Sequence, residues 1–470
     1  MLSSHKSVKW AVTAIAVVAA MMLASAAAQA DKVDDYITSE MKNRHIPGLA
    51  LAVVKNGEVI KAKGYGLANV ELNVPVTPDS VFDLASITKS FTATAIMMLV
   101  EEGKVGLDDR ISKYLINAPY TWRDITVRHL LTHTAGLESE GDFGPTAEKF
   151  EYVSKRPLDF APGERMKYSN QGYFLLGMII EKVSGKRWHE FLAERIFEPL
   201  GMTATTVPDP WDIIKNRAAH YTLRDGKLAP TWWFIYQDEL ASAGGILSTV
   251  QDLAKWDAAI YTEKILKKSS LEQMWTPVKF NSGFGHTYGF GWSLDEIRNH
   301  RTVGHAGSSG TYILRLPDDK LTVIVLSNLN QSRSKPRIIA QGVAAHYLPA
   351  IRLSSLKAQP DPDPQMTQKM RKLLSDIANG VTDSPLLTPE RNARVSPSFR
   401  RYIAGVSSLK GVKSFTFLVC DDVQGRQIDR YGVRVSRICY YKLVDALETR
   451  YLAFYLTADN KVAEIRSSTE

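Results

Sequence analysis

Cysteine is nearly absent from this chain, with two residues, Cys420 and Cys439, in 470. That leaves a single possible bridge, and neither thiol is placed as a nucleophile. Outside the first thirty residues no apolar run is long enough to span a bilayer. No basic run with interleaved aromatics occurs despite the formal charge of +8, which argues against a nucleic-acid partner. There is no HExxH pattern and no internal repeat, and no cofactor is implied. The remaining composition, 44% hydrophobic and 23% charged, is that of an ordinary soluble protein whose length suits two or three domains.

Residues 1–30 read as a secretory signal. Lys6 and Lys9 precede the apolar "WAVTAIAVVAAMMLASA", and Ala28-Gln29-Ala30 offers a small-x-small cleavage site. An uncleaved anchor is the alternative, since the apolar run is nearly long enough. The expected product is periplasmic or secreted, with no stable membrane anchor and no lipid-accepting cysteine. In that compartment Cys420 and Cys439 are expected to pair, because they lie on two strand-like runs, "VKSFTFLVC" and "YGVRVSRICYYKL". Two free buried thiols are the other reading.

Strand signals lie at both ends of the first 356 residues. "GLALAVVKNGEVIKAKGYG" alternates about Asn56-Gly57, a hairpin signal. "YGFGWSL", "TVGHAG" and "GTYILRLPDDKLTVIVLSN" follow a helix-rich stretch from about 84 to 275. The expected fold class is mixed α/β of the α+β kind. One antiparallel sheet would be assembled from both ends of the domain, with flanking helices, one near 335–348, and an inserted helical subdomain. "KAQPDPDPQ" marks a boundary. The division expected is a signal at 1–30, a main domain at 31–356, a Pro-Asp linker at 357–364 and a small separate α+β domain at 365–470. That last unit has no chemistry-bearing motif, and a chain ending near Lys357 is expected to keep much of its activity if it folds. Nothing in the sequence speaks to oligomeric state.

Chemistry gathers first at "DLASITKSFTATAIMMLV", residues 83–100. Residues 86–102 lack Gly and Pro and read as a buried helix, with Ile87, Phe91, Ala95 and Leu99 every fourth residue. Lys89 sits three residues after Ser86, on the same helical face. A desolvated amine favours its neutral form and can take a proton from a serine oxygen, so S-x-x-K describes an activated nucleophile. By itself the pattern is also met as a helix-start serine with a snorkelling lysine. "PGERMKYSNQGYFLLGMIIEKVSGK" adds Tyr168 and Asn170 in a loop before an amphipathic helix. The tyrosine suits proton transfer if a nearby lysine lowers its pKa, and the asparagine suits a substrate amide or Lys89. "VGHAGSSGTY" adds His305, Gly307 and Ser308 on a glycine-rich strand that a ligand can approach closely. The backbone N–H groups of Ser86 and Ser308 are the expected oxyanion donors. Each piece alone is also compatible with a loop tyrosine or a strand-end histidine.

Taken together, "SITK", "KVGLDDRISKYL", "TVRHLLTHTAGL", the Tyr168 segment, "IFEPLGMTAT", "ASAGGILSTVQDLAKW" and "GHAGSSG" resemble, in order, the serine β-lactamase and penicillin-binding superfamily, in its class C-like branch. The resemblance covers about residues 35–330. It implies Ser86 as nucleophile, Lys89 and Tyr168 as general bases, Asn170 as a substrate contact and His305-Ala306-Gly307 as the third motif. Class C β-lactamases carry K-T-G at that motif, so H-A-G points instead to a carboxylesterase or a hydrolase of D-amino-acyl amides or peptides. The expected substrates are small esters, amides or peptides, peptidoglycan fragments included. A class C-like β-lactamase or DD-carboxypeptidase is the alternative within the enzymes, and a penicillin-recognising or peptidoglycan-binding protein outside them. His305, with a reference pKa of about 6.5, is expected to gain charge near pH 5.5 and then to favour carboxylate substrates. Glu164 reads as a loop residue, His129 and His133 as structural rather than metal ligands, and "WWFIY" (232–236) as a cleft wall or packing.

Overall fold

The computed structural model describes residues 32–138, 146–209, 211–231, 241–381, 383–392, 412–423, 428–445 and 449–468. The proposed signal segment and the aromatic run at 232–236 lie outside the described residues.

A helix over residues 32–44 (α1) leads into β1, Gly48–Lys55, and β2, Glu58–Asn69. The turn between them has positive φ at both Asn56 (54°) and Gly57 (83°), the conformation a two-residue hairpin of right-handed twist needs. β1 is then paired on its other side by a strand from far along the chain, Leu321–Ser327 (β7), with Leu49 opposite Ser327. The full antiparallel order runs Ser293–Ile297 (β4), His300–Gly307 (β5), Thr311–Leu316 (β6), β7, β1, β2 and Val74–Pro75 (β3). The sheet is therefore closed from both ends of the domain, as the strand signals imply.

Alternation along β1 gives the sheet two buried faces. Leu49, Leu51 and Val53 pack with Val33 and Ile37 of α1 and with Ile339 and Val343 of the helix Pro336–Tyr347. Ala50, Ala52 and Val54 face the opposite way, where their small size admits the helix Val250–Ile260 with Leu253 and Trp256. On that second face a buried ion pair crosses from helix to sheet. Arg315 Nε lies 2.6 Å from Asp257 Oδ1, both side chains are fully buried, and Thr322 Oγ1 donates to the same carboxylate at 2.9 Å.

The segment expected as one helix over 86–102 is a 3₁₀ turn, Ala85–Ile87, followed by an α-helix, Thr88–Glu101 (α2). Every residue of α2 from Thr88 to Leu99 is buried, including Lys89. The tighter 3₁₀ winding eclipses residues three apart, so the Ser86–Lys89 juxtaposition survives the change.

Beyond Asp363, whose carboxylate caps Met366 N–H at 2.9 Å, lie the helix Pro364–Ala378 and a four-stranded antiparallel sheet. Its order is Ser414–Asp422, Arg437–Val444, Thr449–Leu456, Val462–Ser468. Met370, Leu373 and Ile377 fill a core of its own against Leu443, Leu452 and Phe454. Cys420 and Cys439 stand directly opposite in the ladder and are disulfide-bonded. The unit is not detached from the main domain. Asp421 pairs with Arg298 at 2.5 Å, Asp429 accepts from Gly285 N–H at 3.1 Å, and the rings of Tyr431 and His286 stack at 4.6 Å. It also reaches β4, the edge strand of the sheet, where the Tyr455 hydroxyl donates to Asp295 at 3.3 Å.

Candidate active site

Lys89 Nζ makes three polar contacts: Ala243 O at 2.7 Å, Asn170 Oδ1 at 2.8 Å and Ser86 Oγ at 3.2 Å. Two of those partners are carbonyl oxygens and can only accept. A neutral amine has two N–H groups and one lone pair, so the two carbonyls take the hydrogens and the lone pair is left for the Ser86 hydroxyl proton. No carboxylate among the described residues touches Nζ, and complete burial drives the Lys89 pKa well below its ordinary range. A half-buried serine hydroxyl beside a free amine is primed to lose its proton as it attacks a carbonyl.

The turn carrying Ser86 is braced from several directions. Ala85 holds a positive φ of 45°, uncommon for a residue with a Cβ, and its N–H is fixed by Asp83 Oδ1 at 2.8 Å. Ser309 Oγ donates to Asp83 O at 2.6 Å, and Thr311 Oγ1 donates to Leu84 O at 3.1 Å. Leu84 O also lies where a Cβ on Gly307 would be, 2.2 Å from that point, so only glycine lets the β5 strand end approach the serine turn this closely. In this way the H-A-G segment and the S-x-x-K segment, more than two hundred residues apart, are built against each other.

Tyr168 faces the same space. Its hydroxyl is shut from solvent, has no hydrogen-bond partner among the described residues and lies close enough to Ser86 to feel it. Burial raises the Tyr168 pKa. The expectation that a neighbouring lysine lowers it is corrected here, because burial of the phenol is the dominant influence and outweighs its neighbours. Tyr168 in the resting site is a phenol. Its ring is set by His133, 4.3 Å away between centroids, whose Nδ1 accepts from Ser169 N–H at 3.1 Å. Asn170 opens the helix Asn170–Ser184, which Ser169 caps through Gly172 N–H.

His305 is the second correction. It is buried, its Nδ1 bonds Ala306 O at 2.8 Å, and its Nε2 meets the Tyr288 hydroxyl at 3.0 Å. Since a carbonyl can only accept, Nδ1 carries the hydrogen and Nε2 receives the tyrosine proton. Desolvation, reinforced by Lys89, pushes its pKa down to about 3. His305 therefore stays neutral at pH 5.5 and supplies no cation to a substrate there.

Ser86, Tyr168, Asn170, His305 and Ser308 line one cleft of about 470 Å³. Gly307 sits behind it against Leu84. The Ser86 and Ser308 N–H groups are not spent on hydrogen bonds among the described residues, and Ser308 is exposed. Tyr288, Ala243 O and His133 join the site without having been singled out for it. "YGFGWSL" and "ASAGG" carried no chemical signal, because a strand tyrosine and a backbone carbonyl look ordinary in sequence. His129 Nδ1 accepts from Thr126 N–H at 3.2 Å and closes a helix cap, and exposed Glu164 accepts from Ala161 N–H at 3.2 Å. Both hold the backbone. The far wall of the cleft holds a further surprise, Arg466, which comes from the C-terminal unit.

A seven-stranded antiparallel sheet, an S-x-x-K turn and a Tyr-x-Asn loop meeting at one cleft define a serine hydrolase of the β-lactamase fold. Residues 33–347 match the family described as Beta-lactamase, and the chain belongs to that family, whose members are serine hydrolases. It is 32% identical over 329 residues to penicillin-binding protein 4* of Bacillus subtilis (strain 168), which covers 64% of this chain and 72% of that one. Among solved structures, the octameric penicillin-binding protein homologue from Pyrococcus abyssi aligns over 94% of this chain and 98% of its own, with TM-score 0.61 and 27% identity. D-amino acid amidase from Ochrobactrum anthropi SV3, in a complex with L-phenylalanine amide, aligns over 69% of this chain and 99% of its own, with TM-score 0.58 and 27% identity.

Proposed function

We propose that the protein is an exported serine hydrolase that forms an acyl-enzyme on Ser86 and cleaves carboxylic esters or D-amino-acyl amides and peptides. The observation that carries this reading is the lone pair of Lys89, left over once Asn170 and Ala243 have taken its two hydrogens. As Ser86 Oγ attacks the substrate carbonyl, its proton passes to Lys89. The new ammonium then lies 4.8 Å from the Tyr168 ring, favours loss of the phenolic proton, and so lets Tyr168 hand that proton to the leaving oxygen or nitrogen. The Ser86 and Ser308 N–H groups receive the oxyanion. Water then takes the place of the leaving group and the transfers run in reverse: the Tyr168 phenolate takes a proton from the attacking water, and Lys89 returns its proton to Ser86 Oγ as the acid product leaves. Asn170 holds Lys89 in place and presents its amide to the substrate.

Ester or amide substrates are favoured over β-lactams because His305 offers no positive charge to the carboxylate beside a lactam bond. The D-amino acid amidase supports the amide arm. The disulfide supports export, since such bridges persist in oxidising compartments. The test is a panel of short-chain nitrophenyl esters, D-aminoacyl anilides and a chromogenic cephalosporin, run on wild type and Ser86→Ala. Steady turnover of esters or anilides, reduced by roughly three or more orders of magnitude in Ser86→Ala, is expected. A single stoichiometric burst would mark a penicillin-recognising sensor. Cephalosporin turnover faster than that of every ester and anilide would restore the β-lactamase.

A further inference from the structure

The cleft that begins at Ser86 ends on a cluster of charge that the reaction above does not use. Asp295, on β4, receives three guanidinium groups: Arg430 at 2.6 Å, Arg337 at 3.0 Å and Arg466. The Tyr455 hydroxyl adds a bond at 3.3 Å. Glu464 stands 2.6 Å from Arg430 Nε and 3.0 Å from Arg466 Nε. Three cations thus meet two carboxylates, which leaves one positive charge in excess. Arg430 is fully buried and also donates to Thr287 Oγ1 at 2.8 Å, so it acts as the internal strut. Arg337, Arg466 and the Asp295 carboxylate they share line the cleft, so the two guanidiniums outnumber the one carboxylate there. Burial draws Arg466 down to about 10, which still leaves it a cation at neutral pH.

The same two arginines also line an adjoining hollow of about 380 Å³, together with Lys335 and Gln331, and no acidic side chain lines that hollow among the described residues. A path thus leads from the nucleophile past Arg337 and Arg466 into wholly cationic surroundings. Its length follows from the sheet. Asp295 pairs with Thr302, which precedes Gly307 by five residues along β5. At roughly 3.3 Å per residue that separation is about 16 Å. Allowing for the reach of an arginine side chain, the gap is on the order of 10 Å, about three residues of extended chain.

We propose that the Arg337–Arg466 wall binds a substrate carboxylate, so that the preferred substrate is an ester or peptide-like amide carrying a free carboxylate several bonds from the scissile carbonyl. The inference rests on the acyl-enzyme reading above and adds the substrate's charge and reach. It also assigns the C-terminal unit a role. Arg466 comes from the last strand of that unit, and the planar guanidinium fork suits a carboxylate in a way that neutral His305 does not. A chain ending near Lys357 would lack Arg430 and Arg466, so the expectation that it keeps much of its ester hydrolysis does not extend to anionic substrates.

The experiment uses the full-length oxidised protein. One series comprises nitrophenyl hemiesters of dicarboxylic acids of increasing length, each against its neutral methyl diester. A second comprises short D-peptides with free carboxylate against their carboxamides. The expected ratio of kcat/KM, anionic over neutral, is roughly tenfold or more at the best length in at least one series, and it falls with added salt. Arg466→Gln and Arg337→Gln should each lower that ratio by roughly tenfold, and Arg466→Lys should retain part of it. Arg337 is partly exposed, so its variant reads the effect even if loss of Arg466 disturbs folding. A ratio at or below one at every length in both series, or a ratio unchanged in the folded variants, overturns the proposal. Fluorophosphonate labelling of Ser86 on the same preparations separates the two readings. Labelling with no charge preference removes only the carboxylate subsite, and absence of labelling and of turnover removes the acyl-enzyme itself.

Discussion

Lys89 Nζ stands 3.2 Å from Ser86 Oγ, with Asn170 Oδ1 and Ala243 O occupying its other two directions. Burial in such a place disfavours the ammonium and holds the amine well below its ordinary pKa, while the two carbonyl neighbours fix its direction toward Ser86.

The pH dependence follows from that arrangement. Activity on a neutral ester requires the free amine, so kcat/KM should rise with pH as Lys89 loses its proton, along a limb placed well below an ordinary lysine's. His305→Gln should leave the position of that limb unmoved, because His305 does not titrate until about pH 3. A limb that shifts in His305→Gln would return the pH sensitivity to the histidine.

His305 instead enters the stability. The unfolded chain protonates it near its ordinary pKa of 6.5, and the folded chain does not until about 3. Its contribution is complete above about 6.5 and is lost as pH falls through that window. Denaturant midpoints of wild type should therefore fall from pH 7 to pH 4, and less steeply in His305→Gln. Parallel declines in the two proteins would refute this.

Gly307→Ala places a methyl group against Leu84 O and the Thr311 hydroxyl, both 2.2 Å from the new atom. The turn carrying Ser86 must move or β5 must withdraw. A displacement of about 1 Å in such a site costs on the order of a hundredfold in rate, so kcat/KM should drop by that order while the fold persists. Ester kinetics with circular dichroism check it; wild-type kcat/KM in a folded variant would show that the approach is not tight.

The Asp257–Arg315 pair makes a prediction about stability alone. Asp257→Ala leaves a fully buried guanidinium without its carboxylate, at a cost of about 3–5 kcal/mol. The pair lies between helix and sheet, away from the cleft lining, so the loss should be read in denaturant unfolding. A change below about 1 kcal/mol would mean that water or another group compensates the arginine.

The disulfide closes a loop of sequence separation 19, which on chain-entropy grounds stabilises by about 3 kcal/mol. Reduction should lower the unfolding midpoint of the C-terminal unit, and non-reducing peptide mapping should find Cys420 joined to Cys439. Two thiols that alkylate freely in protein taken from the exported fraction would contradict it.

Most of the sheet was legible before folding. Asn56-Gly57 announces its hairpin because few other pairs tolerate two positive φ values, and the alternation of β1 marks two faces. Ser86 and Lys89 were legible because they are local: three residues apart on a helical turn, they meet whatever the rest of the chain does. The 3₁₀ start at Ala85 was not legible, since a positive φ at alanine depends on Asp83 and Ser309 holding it from outside.

By itself, then, the sequence determined the juxtaposition of Ser86 and Lys89, the order of the motifs and the two-ended sheet. Tertiary structure alone decided the charge states, because ionisation depends on burial and on neighbours distant along the chain. His305 is neutral because it is enclosed, and Tyr168 is a phenol because its hydroxyl is buried. Tertiary structure likewise decided the far end of the cleft. Arg466 is 380 residues from Ser86, and only docking of the last strand over β4 brings its guanidinium to Asp295 and into the space the nucleophile opens onto.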